Sequence, residues 1–161
     1  MRKQLENILP EKIKANLMLK AFGVTRVPLL FATGARVHEI NETRCCIRMP
    51  FIKIVKNHLG SVYFGALAIG ADACVGLLAA HKIYNSGEKI SLVFKSFEAE
   101  FLKRAEGKTD FICDEGETID ALIEEVLSTG ERGHRKISAR AECNGETVAT
   151  FQLELSLKVR N

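Results

Sequence analysis

Asp72 is the residue whose surroundings in the sequence most clearly suggest chemistry. It is the single charged residue between Ser61 and Ala80, where nearly every other side chain is small or apolar. A carboxylate in such surroundings is costly unless it is paired, hydrogen-bonded or protonated, or unless it opens onto a ligand cleft. Partial loss of water raises a carboxyl pKa, which suits a general base or a nucleophile near neutral pH. The alternative is a structural carboxylate, for instance one paired across a dimer interface.

Gly65 lies about two helical turns before Asp72, near the expected start of the same element. Backbone N–H groups at a helix N-terminus can hold the negative charge that develops on a carbonyl oxygen under attack. Glycine at this place lets a substrate approach the backbone closely, with the N–H of Phe64 or Ala66 as a second donor. The spacing therefore predicts a carboxylate and an oxyanion site in one segment.

The loop that precedes this segment supplies further candidates. Asn57 could orient water or a carbonyl through its amide, or it could simply stabilise a turn or cap a helix. His58 could act as an acid or base, although a solvated loop side chain is the simpler interpretation. Ser61 is expected to cap the helix N-terminus, and the Tyr63 hydroxyl can donate a hydrogen bond. We take His58, Ser61, Tyr63 and Phe64 as candidates for binding a substrate and Asn57 as a candidate catalytic residue.

The element that must position these groups is a long helix over about residues 61–84. The run is longer than an ordinary strand, and its apolar character on most sides predicts a helix buried in a core. Gly65, Gly70 and Gly76 would leave faces where other backbone can approach closely. Asp72 in the middle of the run argues against a membrane span.

The remaining chain predicts an antiparallel sheet and two further helical regions. Residues 1–23 suggest a helical segment in which a second helix starts after Pro10 and ends at Gly23. Residues 117–128 have apolar positions at helical spacing. Alternating patterns predict a hairpin in residues 31–54, strands over 90–105 and 109–113, and a hairpin over 130–160 that turns at Asn144 and Gly145.

Two details of these strands bear on the later argument. The alternation of the long strand shifts phase near Ser96 and Phe97, which suggests a bulge or bend. His38 lies on the first strand with no partner nearby in sequence and is interpreted as an ordinary surface histidine. One antiparallel sheet wrapped round one apolar helix, in a single domain of residues 1–161 and of the α+β class, is the economical arrangement.

Composition narrows the class of protein. The 161 residues are 47% hydrophobic and 27% charged, as expected for one globular domain. A net charge of +3, without a long basic run, is too small to suggest a nucleic-acid partner. The five scattered cysteines show no zinc-type spacing, and no signal peptide is recognised, so we expect reduced thiols, no metal and a cytoplasmic location.

The segment around the long helix resembles that of the hotdog-fold acyl-CoA thioesterases, in particular the phenylacetate-degradation type. Those proteins carry Asn, then Gly, then His-Gly-Gly, then a helical Asp, at fixed spacing. Here Asn57, Gly60, Gly65 and Asp72 match that pattern, and the order of predicted elements fits the fold over nearly the whole chain. The matching motif itself covers about a sixth of the chain.

Two residues depart from the pattern. Tyr63 occupies the position of the family's His, and Phe64 occupies the position of its first Gly. Both replacements are larger than the family's residues at the proposed oxyanion site, so they favour a second hypothesis, a non-catalytic module that binds acyl thioesters or lipids.

The resemblance implies a hydrolase that converts a fatty or aryl acyl-CoA to free acid and CoA without a cofactor. Asp72 would be general base or nucleophile, and the amides near Gly65 would form the oxyanion site. The family forms homodimers by joining two sheets edge to edge, with each active site built from both protomers. We therefore expect at least a homodimer and leave open whether dimers pair into tetramers.

Overall fold

The computed structural model describes residues 9–160, which form one sheet and several helices. The α-helices of this part of the chain are α1 (Glu11–Thr25), α2 (Pro28–Ala32), α3 (Phe64–Ser86) and α4 (Gly116–Thr129), with a 3₁₀ turn at Lys53–Val55. The strands are β1 (Arg36–Ile40), β2 (Cys45–Met49), β3 (Ile90–Phe101), β4 (Thr109–Cys113), β5 (Gly133–Cys143) and β6 (Glu146–Val159).

All neighbouring strands of the sheet are antiparallel, in the order β1-β2-β4-β5-β6-β3. The predicted hairpin between β5 and β6 is confirmed, and Asn144 and Gly145 have the positive φ angles, 53° and 79°, that such a turn requires. Strands β1 and β3 form the two edges. Because β3 pairs only with β6 among the described strands, the other side of its backbone is unpaired.

Helix α3 is the central element and contacts strands β2, β3, β4, β5 and β6. Ala71, Val75 and Leu78 on its inner face are completely buried. By length and composition the helix could cross a membrane, but more than half of that stretch is buried inside the protein, as in the core helix of a folded domain. The α+β prediction is confirmed: a sheet wraps round a single long apolar helix.

Several local predictions need correction. Helix α3 begins at Phe64 rather than Ser61, and Tyr63 is its N-cap without a side-chain cap bond. The N-cap prediction for Ser61 is wrong because its hydroxyl is engaged by the Asn57 amide in the preceding loop (3.0 Å). The predicted start after Pro10 is confirmed by α1. Residues 1–8 of the predicted N-terminal segment lie outside the described residues.

Gly23 does not end the first helix, which continues to Thr25. Its role is close packing, since a Cβ atom at this position would lie 3.1 Å from the Cβ of Phe31. The prediction that two faces alternate regularly along the first strand is also wrong. Val37 and Ile40 are the buried residues of β1, and the register shifts between Val37 and Glu39, so that His38 lies in a bulge.

Gly70 gives a direct test of how tightly α3 packs on the sheet. A Cβ atom there would overlap the ring of the buried Phe111 on β4. We expect Gly70→Ala to lower the free energy of unfolding by about 1–3 kcal/mol, because an overpacked core forces side chains or backbone to move. Urea unfolding measures the loss.

Gly76→Ala on the same helix is the matched control. Its Cβ would lie 3.7 Å from the nearest Phe94 atom, which is ordinary contact, and alanine is the better helix former by up to about 1 kcal/mol. Equal stability of the two variants would contradict the close approach at Gly70.

Candidate active site

Asp72 lies in the middle of α3, on the side that faces the edge strand β3. Its side chain lines a cleft of about 430 Å³ between the two elements. The other residues that line the cleft are largely apolar: Ala68, Ile69, Phe94, Lys95, Ser96, Phe97 and Leu153. The cleft therefore combines one carboxylate with walls suited to a hydrocarbon or aromatic group.

The electrostatic surroundings of Asp72 match the prediction from sequence. In the single chain its side chain reaches solvent through the mouth of the cleft. The protein atoms around the carboxylate nevertheless remove part of its water, and this burial raises its pKa above the ordinary aspartate value. Within residues 9–160 Asp72 has no ion-pair partner, and Lys95 in the same cleft instead approaches Glu154 (4.0 Å).

A bulge in β3 shapes the wall opposite Asp72. The pairing of β3 with β6 shifts register between Phe94 and Ser96, close to the phase shift expected near Ser96 and Phe97. In a regular strand only alternate residues face one side. Here the consecutive residues 94–97 all line the cleft. The family resemblance implies that acyl chains run past this strand, but residues 94–97 were not among the predicted site residues, and within the sequence the phase shift was the signal that pointed to them.

The N-terminus of α3 presents free backbone donors. The first intrahelical bond runs from Leu67 N–H to Tyr63 O (3.1 Å), so the amides of Phe64, Gly65 and Ala66 precede it and have no acceptor within the helix. The Tyr63 ring lies against Gly65, where it would meet a Cβ atom. This end of the helix can hold a negative oxygen, but the Tyr63 side chain narrows the approach.

The loop before α3 is held together by Asn57. Its Oδ1 accepts hydrogen bonds from the N–H groups of Leu59 (2.9 Å) and Ser61 (3.2 Å). Gly60 completes the turn with a φ of 78°, a conformation that glycine adopts without strain. His58 is exposed in this loop. In the single chain, Asn57 thus stabilises a turn, which was one of its two predicted roles.

The predicted site residues fall into two groups in one chain. Asp72 lines the cleft beside β3, whereas none of the loop and helix-start candidates lines that cleft: Asn57, His58, Ser61, Tyr63, Phe64 and Gly65. Among residues 9–160, no group of three or more His, Cys, Asp or Glu side chains is arranged to hold a metal ion. A complete site of the expected kind would need the helix start of a second chain.

A larger cavity, about 840 Å³, lies on the outer face of the sheet. Its lining includes the acidic residues Glu98, Glu100, Asp114 and Glu115 and the cationic Arg140, and no residue of the predicted site. Size alone does not identify the site here. The cleft beside β3 is smaller but holds a carboxylate without an ion-pair partner among residues 9–160, and burial raises the pKa of that carboxylate.

Comparison with known protein families identifies the family of this chain. The family model described as a domain of unknown function, DUF4442, matches residues 15–157. The chain belongs to the DUF4442 family. The match includes the whole of α3 with Asp72 and every strand of the sheet except the end of β6. No curated protein matches this DUF4442 chain in sequence.

Solved structures show which fold this DUF4442 chain has. Pseudomonas aeruginosa PA5026, a protein of unknown function described as a probable thioesterase, is 22% identical, with 94% of this chain and 97% of that chain covered and a TM-score of 0.77. Chlorobaculum tepidum OLEI01261, of unknown function, is 13% identical (92% and 97% covered, TM-score 0.80). Staphylococcus aureus thioesterase SAV0944 is 15% identical (81% and 98% covered, TM-score 0.64). The resemblance to the hotdog-fold superfamily is confirmed at the level of the fold.

Proposed function

We propose that this protein is a thioesterase that hydrolyses a fatty or aryl acyl-CoA to the free acid and CoA. The observation that carries the proposal is the Asp72 carboxylate, which has a raised pKa and opens onto a cleft with apolar walls. A general base works best when its pKa approaches the operating pH. The apolar walls suit the acyl group, and structural neighbours that are called thioesterases share the fold.

The chemistry requires two groups on opposite sides of the thioester. Asp72 either removes a proton from water as the water oxygen attacks the carbonyl carbon, or attacks that carbon itself. The carbonyl oxygen then becomes negative and is held by the amides near Gly65. When the C=O bond re-forms, the C–S bond breaks, and the departing thiolate of CoA takes up a proton. In the nucleophilic route this leaves an anhydride between the acyl group and Asp72, and water then hydrolyses the anhydride to the free acid and the Asp72 carboxylate.

The second group comes from a partner copy in this proposal. Strand β3 is a sheet edge of twelve residues, long enough to pair with a second chain. Large apolar side chains along it are exposed, including Val93, Phe97, Phe101 and Leu102. Phe64 at the start of α3 contacts Phe101 edge to face (6.0 Å between ring centroids). Joining two β3 edges in a homodimer would cover these residues and bring new groups to the Asp72 cleft.

Spacing in one neighbour agrees with the assignment of Asn57 and Asp72. SAV0944 has been solved as two variants, one with a glutamine and one with a glutamate replaced by alanine, fifteen positions apart. Asn57 and Asp72 are also fifteen positions apart and carry the same two functional groups on shorter side chains. This supports Asn57 as the amide that orients water or the carbonyl, once a partner chain completes the site.

The second candidate function is a module that binds acyl thioesters without hydrolysing them. The position of the Tyr63 ring against Gly65 favours it, because the ring occupies space that a carbonyl oxygen would need. Tyr63 is half exposed, however, so its ring is not enclosed by the core. In either case the five buried, unpaired cysteines fit a reducing compartment, and we propose the cytoplasm.

Release of free thiol from a panel of acyl-CoAs, as a function of pH, distinguishes the two functions. Because partial burial raises the Asp72 pKa, we expect the rate to rise with pH along a limb that lies above the ordinary aspartate range. The base is protonated and inactive below that limb and ionised above it. Saturable acyl-CoA binding with no thiol release at any pH would support the binding module and contradict the hydrolase.

A further inference from the structure

A second cleft, of about 700 Å³, lies between α1 and the edge strand β1, outside the proposed active site. Its lining contains five cationic side chains: Lys12, Lys20, Arg36, Arg48 and Lys108. His38, which the sequence suggested was an ordinary surface histidine, lies among them. None of the described residues that line this basic cleft carries a carboxylate. The floor is partly apolar, with Val37, Pro50 and Phe51.

Asn16 holds helix α1 against strand β1 and so forms one side of this cleft. Its side-chain amide accepts a hydrogen bond from Val37 N–H (2.8 Å) and donates one to Val37 O (3.0 Å), which fixes α1 along the free edge of β1. Lys12 and Lys20 lie one helical turn to either side of Asn16 and so share its face of the helix. The docking of α1 therefore sets two lysines above the cleft.

The strands add two arginines in an arrangement that costs stability. Arg36 lies directly opposite Arg48 in the pairing of β1 with β2, and like charges opposite each other on a sheet are unfavourable. Asp110 binds Arg48 through two hydrogen bonds of 2.7 Å. Within residues 9–160, no carboxylate forms an ion pair with Lys12, Lys20, Arg36 or Lys108. The cleft thus keeps a surplus of positive charge.

The positive charge of the basic cleft affects the neighbouring carboxyl group of Asp110. The pKa of Asp110 lies below its ordinary value because of the hydrogen bonds from Arg48, with further contributions from the Arg48, His38 and Lys108 charges. One carboxylate cannot neutralise five cations. A gathering of like charges that costs stability favours a bound anion, because proteins accept such local conflicts mainly at functional sites.

We infer that the basic cleft binds a small molecule carrying more than one phosphate group. Arginine forks match phosphate oxygens, and the flanking lysines add point charges at several positions, as a polyphosphate requires. The volume is that of a small-molecule site rather than a groove for a polymer. Such phosphates occur in a nucleotide such as CoA and in the head groups of anionic lipids. The inference does not depend on hydrolysis at Asp72.

Calorimetric titration of the full chain tests the inference with three probes: inorganic tripolyphosphate, CoA and vesicles of cardiolipin, a lipid with two phosphate groups. We expect saturable binding of tripolyphosphate at one site per chain. Arg36→Gln and Lys108→Gln should each weaken it about tenfold, because each removes a charge-assisted hydrogen bond. Lys158→Gln, an equally exposed lysine on β6, is the control and should change the affinity less than about twofold.

Thermal unfolding separates a binding role from a structural one. Without ligand, Arg36→Gln should melt at the same temperature as the wild type or up to about 4 °C higher, because a repulsive pair is removed. Tripolyphosphate should raise the melting temperature of the wild type and of Lys158→Gln equally, and that of Arg36→Gln by a smaller amount at the same concentration.

Each outcome of the titrations either supports the inference or overturns it. Binding of CoA that weakens in the two cleft variants identifies a nucleotide source, and vesicle binding with the same sensitivity identifies a lipid head group. No saturable binding of any of the three probes, or an equal loss of affinity in Lys158→Gln, would overturn the inference. So would a lower melting temperature of ligand-free Arg36→Gln.

Discussion

Replacing Asp72 by asparagine is expected to lower the rate of thioester hydrolysis by about 10²–10⁴-fold, the usual contribution of a positioned general base. The upper end of that range is expected if Asp72 is the nucleophile. Asparagine has nearly the same shape, but it neither accepts a proton from water nor attacks a carbonyl. Thiol release at saturating and at limiting acyl-CoA measures the effect on kcat and kcat/KM.

The fold should survive this change. Because burial raises the pKa of Asp72, the ionised form is less stable in the folded chain than in the unfolded chain. Any stability that the protonated form provides is present below the unfolded pKa and is lost as the pH rises through the folded pKa. Above the folded pKa that stability has been lost, so at such pH values Asp72→Asn should melt at the same or a slightly higher temperature.

Glu88→Gln provides the control, since it removes an exposed carboxylate just beyond the C-terminus of the same helix. Its activity should equal that of the wild type, and its pH limb should persist, whereas the limb should vanish in Asp72→Asn. Wild-type turnover by folded Asp72→Asn would exclude Asp72 from the chemistry. The apolar cleft would then be a binding site only.

The main structural features could be predicted because they rest on strong local patterns. An uninterrupted apolar run around Asp72 leaves a buried helix as the simplest solution, and the regular alternation over residues 133–159 leaves a hairpin. The raised pKa of Asp72 follows from the same apolar run. These features depend on neighbours along the chain, which a single sequence displays.

The features that were not predicted depend on contacts between segments that are distant in the sequence. Gly23 has the appearance of a helix end in the sequence, but in the fold Phe31 packs against it and leaves little room for a side chain. His38 appeared isolated because its neighbours Lys12, Arg48 and Lys108 come from three other elements. The wall of the Asp72 cleft is another case, since a bulge of one residue in β3 decides which side chains face the helix.

The separation of Asp72 from Gly65 in one chain determines how the proposed dimer should work. Each helix α3 carries a carboxylate in its middle and free amides at its start, and a single chain does not bring the two into one cleft. Across a twofold axis, the carboxylate of one protomer would face the amides of the other, and the reverse holds at the second site. In this proposal, activity therefore requires both protomers.

Mixing two inactive variants tests this arrangement. Asp72→Asn retains the helix start, and Gly65→Val retains the carboxylate but blocks the amides. The Tyr63 ring, which would contact the new side chain, is half exposed and can move aside. In a heterodimer of the two, one site would combine both intact parts, and the other would combine both defects. Random pairing makes about half of the dimers mixed, so co-refolding should restore roughly a quarter of the wild-type activity.

The control is Asp72→Asn mixed with Asp72→Ala, a pair in which no site recovers a carboxylate and no activity should return. Size-exclusion chromatography with light scattering would show that the mixed sample is dimeric, and native mass spectrometry would show the heterodimer. If heterodimers form but remain inactive, both parts of the site must come from one chain, since a heterodimer then contains only sites with a defect. If the wild type is an active monomer at micromolar concentration, the exposed apolar edge of β3 serves another purpose, and the shared site is excluded.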